Sequence, residues 1–248
     1  FRSVSGRGEL HLSILIEKMR REGFELQVSR PQVIFKEENG EKMEPFEEVS
    51  IECPEIYSGS SIEKMGRRKG EMKDMTSSSS GKTRIIYHIP SRGLIGYTNE
   101  FLTDTRGTGV LNKIFHGYEA YKGDIDSYRN GALVSSASGK AVAYAIFNLE
   151  DRGIMFVKPQ DEVYEGMIVG EHNRDNDLSI NVIKGKQLTN VRASGSDENV
   201  RLTPHKVLTL EDMISYIQDD ELIEVTPNFL RLRKKYLDPN ERKRKTGK

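Results

Sequence analysis

Between residues 45 and 120 the prolines and glycines stand at intervals that leave room for very few folds. Residues 46–53 read as a strand, and Pro54 stops it. Ser58 suits the N-cap of a helix reaching Lys69, with Ile62 and Met65 facing inward and Gly70 as its stop. Residues 71–75 read as a short strand, 76–81 with their serines as a loop, and 84–89 as a strand closed by Pro90. Ser91 suits the cap of a second helix, in which Leu94, Tyr97, Thr98 and Phe101 share a face. Gly107 ends it, and 110–118 form the last strand. The order βαββαβ predicts a ferredoxin-like sandwich, two helices on one face of a four-stranded antiparallel sheet. The sheet's other face is left open, and many RNA-binding modules use that face.

The flanks read differently. Leu12, Leu15, Ile16 and Met19 fall at i, i+3, i+4 and i+7, an amphipathic helix that Gly23 ends. Residues 24–28 alternate as a strand, 32–36 suggest another, and the acidic stretch 37–44 reads as a linker. Beyond 120 the chain looks β-rich, with strands expected at 141–147, 153–157, 167–172, 178–183, 222–225 and 229–232. Thr209, with Asp212 three residues on, suits the cap of a short helix over 209–217. Residues 184–206 lack apolar periodicity and read as a long loop, a kind of segment that often carries function. The expected class is α+β, and the expected domains are 1–43, 44–124 and 125–248.

At 248 residues the chain can bury more than one core. No apolar run approaches the roughly 18 residues of a membrane helix. A single cysteine, Cys53, excludes a disulfide framework and a cysteine-based zinc site. The opening residues carry neither an initiator Met nor a basic-then-apolar leader, which suggests a piece of a longer cytosolic protein. Lys plus Arg and Asp plus Glu balance at 38 each, yet the charge is segregated. Residues 231–248 sum to +7, 184–206 to +3, and 211–224 to −6. Such blocks suggest one surface turned toward a polyanion.

No motif for bond-making chemistry survives inspection. Residues 76–83 nearly match the phosphate loop G-x-x-x-x-G-K-[ST], but Thr76 stands where a glycine is needed and a strand follows where a helix must open. Asp104-x-x-Gly107 sits at a helix end, where the glycine is expected anyway, and Asn112-Lys113 lacks the aspartate two residues further on. The histidines are scattered; His88 and His116 lie on expected strands, where they are either neighbours across the sheet or ordinary edge residues. The cations remain. Arg67, Arg68 and Lys69 close a helix, where they complement its dipole or contact phosphate. Lys184, Lys186, Gln187, Asn190, Arg192 and Ser194 mix charge with amide and hydroxyl groups that can reach bases and 2′-hydroxyls. Arg233, Lys234 and Lys235 begin the basic tail, whose charge favours RNA through counterion release.

At this point a resemblance enters. Residues 5–12, Ser-Gly-Arg-Gly-Glu-Leu-His-Leu, resemble a signature in the third domain of the elongation factor G class of translational GTPases. Glu44-Pro45, residues 66–72 (Gly-Arg-Arg-Lys-Gly-Glu-Met) and 89–97 (Ile-Pro-Ser-Arg-Gly-Leu-Ile-Gly-Tyr) resemble its fifth domain. Residues 139–143, 163–167, 176–178 and 185–195, the last Gly-Lys-Gln-Leu-Thr-Asn-Val-Arg-Ala-Ser-Gly, resemble the C-terminal domain of the BipA (TypA) branch. The resemblance implies a ribosome-associated GTPase of large-subunit assembly and stress adaptation, of which this chain is the C-terminal part. It implies that residues 1–43 end a domain III-like α/β sandwich. It also implies that the 185–195 loop approaches the peptidyl-transferase centre of 23S rRNA and the acceptor end of A-site tRNA. The 67–69 helix end and the turn with Ser91 and Arg92 would face ribosomal RNA. GTP and Mg2+ would sit on a GTPase domain outside this chain, so no cofactor, metal or catalysis is expected within it. A cytoplasmic monomer docked on the 50S subunit is the leading expectation. A small-ligand-sensing regulatory module and an enzyme built on His88 and His116 are the alternatives.

Overall fold

The computed structural model describes residues 3–125, 129–185 and 201–246. The chain divides into two compact units, Pro31–Ser127 and the combination of Phe1–Arg30 with Tyr128–Lys248. It opens with helix α1 (Glu9–Arg21) and strand β1 (Leu26–Ser29), which belong to the second of these.

The central unit runs β2 (Lys36–Glu38), β3 (Glu41–Pro54), α2 (Glu55–Arg67), β4 (Glu71–Ser77), β5 (Lys82–Pro90), α3 (Tyr97–Asp104) and β6 (Val110–Ala120). The strands lie in the order β4-β5-β3-β6, all antiparallel, which is the expected ferredoxin-like sandwich. Val49, Ile51 and Cys53 of β3 alternate inward with Ile85, Tyr87 and Ile89 of β5 to meet Met65, Tyr97 and Phe101 from the helices. Three details differ from expectation. The 37–44 stretch is a hairpin, with Asn39 and Gly40 at φ 54° and 81° forming the turn that joins β2 to β3. Paired positive φ values are what a two-residue hairpin requires. Helix α2 starts directly after Pro54, and Ser58 lies inside it, donating to the Glu55 carbonyl at 2.7 Å. Ser91 opens only a 3₁₀ turn (Ser91–Leu94); α3 begins after Gly96, which is left-handed at φ 75°. A continuous helix would occupy the Gly93 and Ile95 carbonyls that Arg68 needs.

The other unit continues with β7 (Ala132–Ser135), β8 (Gly139–Lys140), α4 (Ala143–Leu149), β9 (Gly153–Met155), β10 (Glu162–Val163), β11 (Met167–His172) and β12 (Leu178–Ile180). It ends with α5 (Leu210–Tyr216), β13 (Glu221–Val225), β14 (Leu230–Lys234) and α6 (Pro239–Thr246). Its sheet runs β1-β13-β14-β11-β7-β12, with β9 also on β11; β12 alone runs parallel to its neighbour. One core packs Ile168, Ile223 and Leu232 against α5, and a second packs Val169, Ile180 and Val182 against Ile146 of α4. The strand expected over 141–147 is helix α4: Ala145 and Ile146 are buried while Tyr144 and Phe147 are exposed, a period only a helix gives. Thr209 and Asp212 form the expected capping box on α5. The expected break at residue 43 does not coincide with the compact units, because β1 pairs with β13 from Leu26↔Val225 to Ser29↔Leu222 and α1 packs on α5. Among the described residues no helix is long and apolar enough to cross a membrane.

Candidate nucleic-acid interface

The cations singled out in the sequence separate into two populations. Three of them are paired with carboxylates of the fold. Arg68 is 3% exposed. Its guanidinium donates to the carbonyls of Gly93 (2.8 Å) and Ile95 (3.2 Å), pairs with Glu100, and stacks 5.0 Å over the Tyr97 ring. Arg92 pairs with the fully buried Glu44, donates to the Gly123 carbonyl and lies over Tyr121. Lys234 is 2% exposed, with Nζ 2.6 Å from Asp177, 2.8 Å from Glu221 and 3.0 Å from Asp220. Arg129 adds a second cation on Glu221. Burial alone would drive the Lys234 ammonium toward neutrality; these carboxylates outweigh it and hold its pKa above the ordinary value. Cations so committed are engaged by carboxylates and carbonyls of the fold itself.

Of the other described ones, most are exposed. Arg67 and Lys69 flank Arg68 and are exposed. Lys69 occupies the left-handed position (φ 65°) of a Schellman end to α2, in which the Gly70 N–H reaches the Met65 carbonyl at 2.9 Å. Ser91 is half-buried in its turn. Lys184 and Lys235 are exposed, and Arg233 is half-buried with its guanidinium on the Lys234 carbonyl. Lys186, Gln187, Asn190, Arg192 and Ser194 lie outside the described residues. The tail is a helix rather than a plain extension. Pro239 takes the first helical position, the Asp238 carboxylate accepts from the Glu241 N–H at 2.7 Å, and Arg242 donates to the Tyr236 and Leu237 carbonyls. Lys243, Arg244 and Lys245 are thereby presented to solvent from one short element. The +7 block contains these three without singling them out; Asp238-Pro239 followed by Glu241 is the signal that marks the helix.

Residues 76–83 span the turn from β4 to β5 and run into a strand rather than opening a helix, so they lack the build of a phosphate loop.

A sandwich of this topology, followed in the same chain by a mainly antiparallel sheet with a basic end, combines two known domain types. Residues 41–128 match the family described as elongation factor G C-terminus. Residues 130–239 match the TypA/BipA C-terminal domain. The two matched segments together span most of this chain, which is thus similar to the TypA/BipA family. It is 55% identical over 246 residues to the large ribosomal subunit assembly factor BipA of Bacillus subtilis (strain 168), covering 99% of this chain and 40% of that protein. The protein of the same description from Escherichia coli (strain K12) is 53% identical over 242 residues, 97% of this chain and 40% of its own length. That of Haemophilus influenzae is 52% identical over 242 residues, with 97% and 39% covered. The chain thus spans about 40% of the length of the curated relatives it matches.

Proposed function

We propose that this chain is the ribosome-docking C-terminal region of a large-subunit assembly factor. The observation that carries the reading is the 55% identity, across 99% of the chain, to a protein described as such a factor. In this reading Arg67, Lys69, Lys184, Lys235 and the exposed cations of α6 neutralise phosphates of 23S rRNA, and Ser91 and Arg233 lie beside them. The 185–195 loop, with Lys186, Gln187, Asn190, Arg192 and Ser194, reaches toward the acceptor end of A-site tRNA. The chain acts as a cytoplasmic monomer through position, and GTP and Mg2+ act on a GTPase domain of the longer parent. Arg68, Arg92 and Lys234 serve by holding the docking surfaces in shape.

Co-sedimentation of the chain with 50S subunits across a salt series tests this. Lys186→Ala with Arg192→Ala is expected to weaken binding. Combined replacement of Lys235, Lys243, Arg244 and Lys245 by Ala is expected to flatten the salt dependence, by about 0.7–0.9 in log–log slope for each phosphate that is no longer neutralised. Unfolding midpoints are expected to stay unchanged in both variants. Unaltered sedimentation of both, or binding by the wild-type chain that ignores salt, would overturn the reading.

A further inference from the structure

We propose that His88, His116 and Glu119 form a site for a divalent transition-metal ion of the zinc class on the face of the central sheet turned away from its helices. The three residues reach one another through an irregularity in β6. Gly117 pairs with Phe46 and Phe115 with Glu47, so one extra residue, His116, sits between two consecutive partners on β3. On a regular strand residues three apart point to opposite faces; the extra residue reverses that parity and brings His116 to the side of Glu119. His88 arrives from β5 on the far side of β3, opposite Glu48, a position that faces away from the helices.

The geometry approaches a coordination shell. The His88 and His116 rings meet edge to face, with centroids 4.5 Å apart. His88 Nε2 lies 3.3 Å from Glu119 Oε1, and His116 Nε2 lies 3.9 Å from the same oxygen. All three donor atoms fall within 4.8 Å of one another. Zinc holds N and O ligands at about 2.0–2.2 Å, so tetrahedral neighbours stand roughly 3.3 Å apart. One pair is already at that separation. The remaining adjustment falls on His116, which is 53% exposed and free to turn, and on Glu119, which is 38% exposed.

A second observation points to a ligand. His88 Nε2 is buried and, although 3.3 Å from Glu119 Oε1, makes no hydrogen bond in this arrangement. Leaving such an atom unsatisfied costs about 1–3 kcal/mol, and coordination would satisfy it. The nearby ammonium groups of Lys73 and Lys122 are both paired with Glu71, which offsets their repulsion of a cation. Two imidazoles and one carboxylate suit zinc and its late first-row neighbours over magnesium or calcium, and three protein ligands leave a fourth position for water or a partner group.

Calorimetric titration of the chain with zinc chloride, at neutral pH and in excess magnesium, tests the site. One equivalent is expected to bind. His116→Ala and Glu119→Gln, both at solvent-accessible side chains, are each expected to weaken binding by at least about tenfold. In the wild-type chain the imidazole NMR signals of His88 and His116 are expected to shift together as zinc is added, while those of His11, His172 and His205 stay in place. The NMR readout holds even if a variant fails to fold. Absence of zinc binding, a smaller loss in folded variants, or shifts confined to the other histidines would overturn the proposal.

Discussion

Lys234→Met separates two roles that a basic tail residue can have. The wild-type ammonium is sealed in among Asp177, Asp220 and Glu221. Methionine keeps most of the apolar stem and removes the charge. Removing one partner of a buried ion pair costs about 3–5 kcal/mol, because the remaining charge is left without water or counter-ion. Here the lower end applies. Asp177 and Asp220 keep 43% and 36% of their side chains exposed and can rehydrate, while the fully buried Glu221 still has Arg129. About 3 kcal/mol lowers the unfolding midpoint of a chain this long by roughly 6–12 °C.

The pH dependence follows from the partners. Burial pushes the Asp177 carboxyl up, but Lys234 and the Ala132 N–H outweigh it and hold it below its ordinary 3.8. Its contribution is therefore present above the unfolded pKa and lost as pH falls through the lower folded value. Lys234, raised above 10.5, contributes fully below that pH and loses its contribution as pH rises through the higher folded value. The deficit of Lys234→Met is thus expected to be flat between about pH 5 and 9, and the variant's acid transition to move to higher pH. Thermal unfolding followed by circular dichroism at several pH values measures both. A midpoint lowered by less than about 2 °C, together with a loss of 50S affinity, would refute the internal role and return Lys234 to the RNA-facing set.

Two further substitutions test single features of the fold. A Cβ on Gly93 would lie 2.6 Å from the Arg68 carbonyl oxygen and 3.3 Å from Ile89 Cδ1, so Gly93→Ala is expected to destabilise the central unit by about 1–3 kcal/mol, read by urea unfolding. Thr209→Ala removes the hydroxyl that accepts from the Asp212 N–H at 3.2 Å and is expected to cost about 1 kcal/mol, with hydrogen exchange speeding first in α5.

What can be read from the residues alone follows from how local each signal is. The βαββαβ order is legible because Pro54, Gly70, Pro90 and Gly107 each stand beside an element end and the helices carry apolar stripes. Helix α4 reads as a strand because an unbroken run such as Ala143-Tyr-Ala-Ile-Phe147 fits either period over so short a span. The Asn39-Gly40 turn is present in plain letters and is masked by its acidic neighbours. The site is harder. A cation's letter does not say whether carboxylates will surround it: Lys234 draws on Asp177 and on residues 220–221, and Arg92 on Glu44. Lys243, Arg244 and Lys245 are exposed, and there the block's charge does lie on the surface. The meeting of His116 with Glu119 depends on a bulge that strand alternation does not announce.

The pairing of β1 with β13 bears on how the molecule is made. Leu26 forms its ladder with Val225, so this sheet edge stays open until everything between them has been synthesised. Closing so distant a contact is entropically costly and slow, although each doubling of the intervening length adds only about 0.6 kcal/mol. The central unit, whose partners lie within residues 31–127, is free of that delay and can mature first, leaving β1 waiting for β13 to emerge.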